Sequence, residues 1–434
     1  MRQTHTFHLN KPNDLRNQLL SKSNEVAYIS ILDSNTHISR PTLPTDYINY
    51  DLIAGIDSLA TLEVNRDAFK QLKQFYQQHQ DWLFGYFSYD LKNDVEPLKS
   101  QNFDGLQFPD LCFFQPKKLF LLKDNILTIK YLNFVSDEID TDLKSIQSFS
   151  IQTDDTHNNA IKIESRISKE SYLDKVGTVL SHIHRGDIYE ANFCQEFYAN
   201  AELDPLETFV KLNAISQTPF ATFFKNGSQF LLSASPERYL KKSGLEMTSQ
   251  PIKGTTKRSQ HPEEDLQLKT NLENNQKERS ENIMIVDLVR NDLSKIAKKG
   301  TVKVTELCQT HSFKQVHHMI STVQAEALPT VSAVDIIAAT FPMGSMTGAP
   351  KISAMNIIES LEETKRGLYS GAVGYFTPGA DFDFNVVIRS ILYNASTAYI
   401  SFSVGSAITS KSTPENEYEE CLVKAKAMRS VLEN

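Results

Sequence analysis

The sequence has few of the features that mark secreted, membrane-bound or nucleic-acid-binding proteins. Its four cysteines are widely spaced in 434 residues and form no C-x-x-C pair, which argues against a disulfide framework and a thiolate zinc site. No run of about 18 or more apolar residues occurs, and the N-terminal residues contain no apolar signal region. The formal net charge of −8 offers no basic surface to nucleic acid. We therefore expect a soluble, unexported protein of the reducing cytoplasm that binds neither nucleic acid nor membranes.

The composition favours a large folded protein with two domains. Hydrophobic residues make up 40% of the chain, which is enough for a sizeable core. Between Asp137 and about Ser168 the sequence becomes polar, and such a change is typical of a domain boundary. We therefore predict one domain over residues 1–150 and a second over residues 165–434.

Local patterns predict helices and strands that occur in clusters. Tyr172, Val176, Val179 and Ile183 recur at helical spacing and predict a helix that ends at Gly186. Further helices are predicted at residues 66–80, 280–300, 348–367 and 413–432, and strands at residues 25–32, 119–132, 228–235, 239–249, 368–376, 384–394 and 398–409. Because the two kinds of element cluster rather than alternate, the pattern favours an α+β fold over a parallel sheet.

Lys253 lies in the segment TSQPIKGTTKR, between an isoleucine and a glycine. Lysines in polar turns are normally solvated, but a lysine whose pKa is lowered by burial can act as a nucleophile. The residues around Lys253 leave both interpretations open.

Acidic residues in two predicted helices are candidates for a metal site. Glu281 is predicted to open the helix at residues 280–300, which is apolar on nearly every side and should be buried. Glu417, Glu420 and Lys424 share one face of the last helix, at positions i, i+3 and i+7. They form either a solvated Glu–Lys pair or, together with Glu281, a site for Mg²⁺, which takes its remaining oxygens from an anionic substrate.

Three single residues are candidates for binding or acid–base chemistry. His318 lies in an alternating, strand-like stretch, where a histidine is more often structural than functional. Arg389 interrupts the apolar strand predicted at 384–394, and an inward arginine there needs a partner such as a carboxylate. Glu237 follows a predicted strand, where partial burial would keep a carboxyl group protonated.

Eight motifs together resemble those of the chorismate-utilising enzymes, which include anthranilate synthase component I, aminodeoxychorismate synthase component I, isochorismate synthase and salicylate synthase. In chain order they are SASPERYL, PIKGT, ENIMIVDLVRNDL, VHHMISTV, FPMGSMTGAPKISAM, GLYSGAVGYF, VVIRS and TPENEYEECLVKAKA. They cover about residues 168–432, and LFGYFSYDLKN near Leu83 resembles the N-terminal domain of the two amino-transferring members. The resemblance implies antiparallel sheets packed as a sandwich with helices outside, two domains interleaved in space, and an active site between the sheets of the C-terminal part.

The resemblance also implies a role for each matching residue. Glu281 and Glu420 would hold Mg²⁺ against the ring carboxylate of chorismate, with Glu417 close by. The residues implied in substrate binding are Tyr369 and Arg389, which would grip the enolpyruvyl carboxylate, Gly254, Thr255, Gly405, Ser406 and Ala407, whose backbone would line the pocket, and Lys424. His318 and Ser345 would face the ring, and Glu237 would assist loss of the C4 hydroxyl.

Lys253 distinguishes the members of this family. Members that make anthranilate carry alanine at this position, whereas aminodeoxychorismate synthases resemble this chain in carrying lysine. A lysine amine that attacks C2 expels the C4 hydroxyl and leaves C4 open to ammonia, which divides a difficult substitution into two steps. Because only a neutral amine attacks, we expect burial to lower the pKa of Lys253.

Two residues depart from the family pattern. Glu190 stands where the amino-transferring enzymes usually have glutamine and where the isochorismate-forming enzymes have a lysine that activates water. A glutamate argues against the water-activating chemistry and has no assigned role. Ala407 stands where the family often has a second glycine, and we expect its methyl group to tighten the site.

The resemblance implies synthesis of 4-amino-4-deoxychorismate from chorismate and ammonia, in the pathway to 4-aminobenzoate and folate. No nucleophile-elbow cysteine with a downstream His–Glu pair is found, so a separate glutamine amidotransferase subunit is expected to supply ammonia. The alternatives are an anthranilate synthase component I, which would release pyruvate, and a catalytically silent chorismate-binding subunit that regulates a partner.

Overall fold

A computed structural model of the chain describes residues 1–36, 47–148, 160–314 and 316–434. The strands in these ranges are β1 (Arg2–His8), β2 (Tyr28–Asp33), β3 (Leu52–Val64), β4 (Leu83–Phe87), β5 (Leu111–Lys123), β6 (Ile126–Leu132), β7 (Glu164–Ser165), β8 (Glu190–Asn200), β9 (Phe220–Asn226), β10 (Gln229–Ser235), β11 (Arg238–Ser243), β12 (Glu246–Gln250), β13 (Ile252–Lys257), β14 (Lys303–Ser312), β15 (Val316–Glu326), β16 (Gly348–Ala349), β17 (Ala372–Phe376), β18 (Phe382–Val386), β19 (Ser390–Asn394) and β20 (Tyr399–Thr409). The helices are α1 (Pro12–Ser21), α2 (Ala68–His79), α3 (Lys92–Val95), α4 (Ile139–Ser148), α5 (Lys169–Arg185), α6 (Pro205–Ser216), α7 (Pro262–Asn274), α8 (Gln276–Ser294), α9 (Ala333–Thr340), α10 (Lys351–Leu361) and α11 (Pro414–Leu432).

The strands form one hydrogen-bonded network with two arms that meet at β3 and β5. The first arm runs β6–β5–β3–β2–β9–β10–β19–β20–β8, and the second runs β5–β4–β17–β18–β11–β12–β15. The two arms diverge at β5, which pairs with β4 through residues 111–114 and with β6 through residues 118–123. Within the described ranges every pairing between these strands is antiparallel, and helices lie alongside them, which confirms the α+β prediction.

Strands from the first 132 residues are built into both arms. In the first arm β2 pairs with β9, and in the second arm β4 pairs with β17. The hydrophobic core follows the same pattern: Phe87 packs edge-on against Phe384 with their ring centroids 5.2 Å apart. The early and late segments of the chain therefore share one hydrophobic core. The predicted division into domains at residues 1–150 and 165–434 stays a prediction.

Most local predictions are confirmed. Helix α5 buries Tyr172, Val176, Val179 and Ile183, and Gly186 ends it in a left-handed conformation with φ +89°. Strands and helices are also found in the predicted segments 25–32, 66–80, 228–235 and 398–409.

Two predicted strands are each two antiparallel strands. The segment 119–132 is divided between β5 and β6 by a turn at Asp124 and Asn125, and the segment 239–249 is divided between β11 and β12 by a turn at Gly244.

Three further predicted elements need correction. Helix α8 begins at Gln276 because the side chain of Asn275 caps it, so Glu281 lies in its second turn rather than at its start. The helix ends at Ser294, six residues before the predicted stop at Gly300, and one of its faces is exposed. Helix α10 ends at Leu361, six residues before the predicted stop. The strand predicted at 384–394 is two strands, because Arg389 adopts a left-handed conformation with φ +51° between β18 and β19.

No helix in the described ranges is both long enough and apolar enough to cross a membrane.

Candidate active site

Two neighbouring connections between the arms carry the candidate residues Glu237 and Arg389. Glu237 follows β10 of the first arm and precedes β11 of the second, and Arg389 joins β18 of the second arm to β19 of the first. The connections touch, since the amide of Val386 donates to the carbonyl of Glu237 and the amide of Ala234 donates to the carbonyl of Arg389, at 3.0 and 3.1 Å. Both residues are thereby held side by side where the chain crosses from one arm to the other.

Lys253 is largely buried and forms an ion pair with Glu190. Its side chain, on β13, is 11% exposed, and its Nζ lies 3.0 Å from Oε1 of Glu190 at the start of β8. Burial works to lower the pKa of Lys253, but the carboxylates of Glu190, Glu281 and Glu237 raise it by more, so the pKa lies above its ordinary value. The expectation of a lowered pKa is therefore wrong.

Glu237 is a buried acid with a strongly raised pKa. Burial raises the pKa of this carboxyl group to about 7, although hydrogen bonds from Ser345 and from the backbone of Ile252 and the charge of Lys253 work to lower it. Ser345 lies in a 3₁₀ helix, Gly344–Met346, that the chain places beside the β10–β11 connection. Near neutral pH Glu237 can therefore still donate a proton.

Two of the three predicted metal-binding residues, Glu281 and Glu417, lie beside the ammonium group of Lys277. Its Nζ lies 3.4 Å from Glu417 Oε1 on α11 and 3.8 Å from Glu281 Oε1 on α8. Glu281 Oε1 and Glu417 Oε2 are buried and have no hydrogen-bond partner among the described residues. Burial also raises the pKa of Glu281 to about 7, against the charges of Lys253 and Lys277. These buried, incompletely paired oxygens fit a cation.

Glu420 stands apart from that arrangement. Its side chain is 43% exposed, and its Oε1 lies 2.7 Å from Nζ of Lys424 one turn further along α11. Burial raises the pKa of Glu420, but Lys424, Lys277 and Lys253 lower it by more, so its carboxylate is ionised. Within the described residues no group of three or more histidine, cysteine or carboxylate side chains has the spacing of a metal site.

Arg389 carries a partly buried positive charge that no described carboxylate neutralises. Burial is the one influence that lowers the pKa of its guanidinium, and no ion pair of this group is found in the described part of the chain. Tyr369, 4% exposed, has its hydroxyl 3.7 Å from Sγ of Cys194. Because the guanidinium of Arg389 is partly buried and has no described carboxylate partner, it is suited to bind the carboxylate of a ligand.

His318 supports the strand that carries Lys253. Its Nδ1 lies 2.8 Å from Oγ1 of Thr255, and a hydrogen bond joins it to the backbone of Gly254. Burial, helped by Arg389 and His317, holds the pKa of His318 well below its usual range, so the imidazole is neutral. This side chain thus positions β13.

Gly405, Ser406 and Ala407 lie inside β20, in a regular strand rather than a turn. The amides of Cys194 and Asn192, opposite Gly405 and Ala407, donate to Glu362 and Thr347 instead of to β20. In an antiparallel ladder this makes 405–194 and 407–192 the non-hydrogen-bonded pairs, so the amides of Gly405 and Ala407 point away from β8. On that side Lys424 Nζ donates to the carbonyl of Gly405 at 2.8 Å.

Lys277 and Glu278 belong to the site although sequence reasoning missed them. Lys277 precedes Glu281 by four residues, a spacing that normally indicates a solvated pair. Burial raises the pKa of Glu278, and its Oε2 lies 3.1 Å from where a Cβ on Gly254 would be. Gly254 has φ +90°, so a side chain there would be strained as well as crowded.

Comparison with known proteins identifies the family of this site. The model of the chorismate binding enzyme family matches residues 40–430. The chain belongs to the chorismate-binding enzymes. This confirms the family that the eight motifs indicate.

Individual chorismate-binding enzymes resemble most of the chain. It is 34% identical over 354 residues to aminodeoxychorismate synthase component 1 of Escherichia coli (strain K12), covering 82% of this chain and 77% of that protein. It is 31% identical over 369 residues to the protein of the same name from Bacillus subtilis (strain 168), with the same two coverages. The crystal structure of anthranilate synthase component I from Streptococcus pneumoniae TIGR4 superposes with a TM-score of 0.76 at 25% identity, covering 89% of this chain and 93% of that one.

Proposed function

We propose that this chain makes 4-amino-4-deoxychorismate from chorismate and ammonia, in the cytoplasm, using ammonia from a separate glutamine amidotransferase subunit. The observation that carries the proposal is Lys253, a buried lysine where anthranilate-forming relatives have alanine, set among Glu190, Glu237 and Glu281. The relatives named aminodeoxychorismate synthase component 1 support it, since that name also implies a second component.

Chorismate carries two carboxylates, and the site offers two kinds of partner for them. The guanidinium of Arg389 would bind the enolpyruvyl carboxylate, with the hydroxyl of Tyr369 beside it. The backbone amides of Gly405 and Ala407, the backbone at Gly254 and the ammonium of Lys424 would line the rest of the pocket.

Mg²⁺ would bind the ring carboxylate together with residues of α8 and α11. The buried, incompletely paired oxygens of Glu281 and Glu417 fit a divalent cation, and Glu420 would join them by leaving Lys424. When bound, Mg²⁺ would neutralise these carboxylates and the substrate carboxylate and so hold the ring in place. Lys277, which neutralises Glu281 and Glu417 in this structure, would move aside.

The reaction then proceeds in two successive substitutions, the first by Lys253 at C2 and the second by ammonia at C4. The neutral amine of Lys253 adds to C2, the ring double bonds shift, and the C4–O bond breaks while Glu237 gives its proton to the leaving hydroxyl, which departs as water. Ammonia next adds to C4, the double bonds shift back, and the C2–N bond breaks, which releases Lys253. Glu237 takes a proton from the new C4 ammonium and is ready for another turnover.

The proposal is tested by incubating the purified chain with chorismate, MgCl₂ and an ammonium salt at mildly alkaline pH, and separating the products by chromatography. We expect 4-amino-4-deoxychorismate without pyruvate, and no turnover once a chelator removes the metal. Stoichiometric pyruvate with anthranilate would establish the anthranilate synthase alternative, and absence of turnover would support a silent binding subunit.

Replacing Arg389 by methionine should weaken chorismate binding while it stabilises the fold. Charged hydrogen bonds of about 1.5 to 3 kcal/mol would be lost, so KM for chorismate should rise about ten- to a hundredfold. The free energy of unfolding should rise, because methionine removes a charge that is partly buried without a described partner and keeps the positive φ unchanged. Initial rates and urea unfolding measure the two effects, and an unchanged KM would exclude Arg389 from the substrate site.

A further inference from the structure

Glu190 departs from the family pattern and is also the residue that contacts Lys253. Its side chain is 1% exposed, and its Oε1 accepts a hydrogen bond from Lys253 Nζ at 3.0 Å. Its Oε2 is buried without a hydrogen-bond partner among the described residues. In the described part of the chain, Glu190 is the only carboxylate that forms an ion pair with Lys253.

We propose that Glu190 is the proton acceptor that converts Lys253 into a free amine when chorismate is bound. This inference rests on the proposed function, because it concerns Lys253 as a nucleophile. In the transfer, the ammonium of Lys253 becomes an amine and the carboxylate of Glu190 becomes a carboxylic acid. When ammonia has displaced the lysine from C2, the amine of Lys253 takes the same proton back.

The surroundings of the pair favour this transfer. Both side chains are buried, and moving one proton removes two buried charges at once without changing the total charge of the site. The Oε2 atom of Glu190, which has no hydrogen-bond partner among the described residues, is available to hold the proton. A glutamine at this position could not accept a proton.

The other carboxylates that interact electrostatically with Lys253 are Glu278 and Glu281 on α8, Glu237 at the β10–β11 connection and Glu420 on α11. Two further titratable groups lie on the neighbouring elements: His318 on β15, which is hydrogen-bonded to the backbone of Gly254, and Lys424 on α11, which is paired with Glu420. His318 is neutral, and none of the carboxylates forms an ion pair with Lys253. Glu190 therefore offers the one direct path for the proton among the described residues.

An internal acceptor has a distinctive dependence on pH. Within the Lys253–Glu190 pair the free amine arises without any proton leaving the site, so its fraction is independent of pH while the pair holds one proton. In a Glu190→Gln variant the amine must lose its proton to solvent, so its fraction rises about tenfold per pH unit below the pKa of the lysine. The variant also lowers the pKa of Lys253 by removing a negative charge, which changes the absolute rate. The dependence of the rate on pH, rather than the rate itself, therefore tests the proposal.

The test measures kcat of wild type and Glu190→Gln with saturating chorismate and a constant concentration of free ammonia, between about pH 6 and pH 8. We expect the ratio of variant to wild-type kcat to rise about tenfold per pH unit, since the ratio cancels the titration of Glu237 and Glu281. Glu190→Asp retains a carboxylate and should give a constant ratio. Glu196→Gln, which removes a carboxylate from the same strand and its ion pair with Arg166, should also give a constant ratio.

A ratio for Glu190→Gln that stays constant with pH would overturn the proposal. Absence of 4-amino-4-deoxychorismate from wild type would instead overturn the proposed function, so the two failures are distinguishable. If Glu190→Gln does not fold, reductive methylation of wild type by formaldehyde and cyanoborohydride, read by peptide mass, decides the question. Labelling of Lys253 should then be constant with pH while that of the exposed Lys426 rises about tenfold per unit, and a parallel rise at both lysines would contradict the proposal.

Discussion

Lys253→Ala should lower the rate of 4-amino-4-deoxychorismate formation about a thousandfold or more, because removing a covalent nucleophile removes both substitution steps. Lys253→Arg should be equally inactive, since a guanidinium keeps the positive charge beside Glu190 but remains protonated and cannot attack. Intact-protein mass spectrometry after rapid quenching with chorismate and Mg²⁺, without ammonia, should show an adduct on wild type and on neither variant.

The matched control is Lys257→Ala, which removes an exposed lysine from the same strand, β13. It should retain wild-type turnover and the adduct. Full activity in Lys253→Ala without an adduct on wild type would remove the covalent step. Activity retained by Lys253→Arg alone would show that the charge at this position matters rather than its nucleophilicity.

Local features of the fold could be predicted because the information lies within a short segment. The face formed by Tyr172 and its neighbours, and the glycine that ends α5, are all contained in one helix and its cap. The start of α8 also depends on local sequence, but the apolar run and the cap point to different residues. The apolar run suggests a start near Glu281, whereas the capping side chain of Asn275 precedes it by six residues.

The electrostatics of the site could not be predicted, because they depend on elements far apart in the sequence. The pKa of Lys253 is raised rather than lowered, chiefly by the carboxylate of Glu190. Glu190 is 63 positions away in the sequence, on β8, and β8 does not pair with β13, the strand that carries Lys253. The ion pair of Lys277 with Glu417 could not be predicted for the same reason, because Glu417 lies on α11, 140 positions later in the sequence. A spacing of four residues on one helix indicates a solvated pair unless a second helix covers it.

The location of Arg389 illustrates a third limit. The apolar residues around it favour one continuous strand, but the left-handed backbone at Arg389 splits that strand where it passes between the two arms. This break positions the guanidinium at the connection that also touches Glu237. Motif resemblance selected both residues, but only the fold shows that neighbouring crossovers hold them together.

Glu237→Gln should slow the reaction about a hundred- to ten-thousandfold, because an amide cannot protonate the departing C4 hydroxyl. Glutamine can still accept the hydrogen bonds from Ser345 and the backbone of Ile252, so the site should keep its shape. For wild type, the pKa of about 7 predicts that kcat falls as pH rises above neutrality, since Glu237 then loses the proton it must donate. That limb should be absent from the residual activity of the variant, whereas Glu246→Gln, at an exposed position on β12, should keep both rate and profile.

The same substitution should stabilise the protein at neutral and higher pH. Folding raises the pKa of Glu237 from 4.5 to about 7, so between these values the folded chain binds more protons than the unfolded chain, and the free energy of unfolding falls as pH rises. This cost is complete above pH 7 and amounts to on the order of 3 kcal/mol, which a glutamine does not incur. The difference between variant and wild type in urea unfolding should therefore grow from near zero at about pH 4.5 to its full value above pH 7. A slower and more stable variant would show that burial of Glu237 trades stability for a usable proton, whereas a variant that is less stable at every pH would contradict the raised pKa.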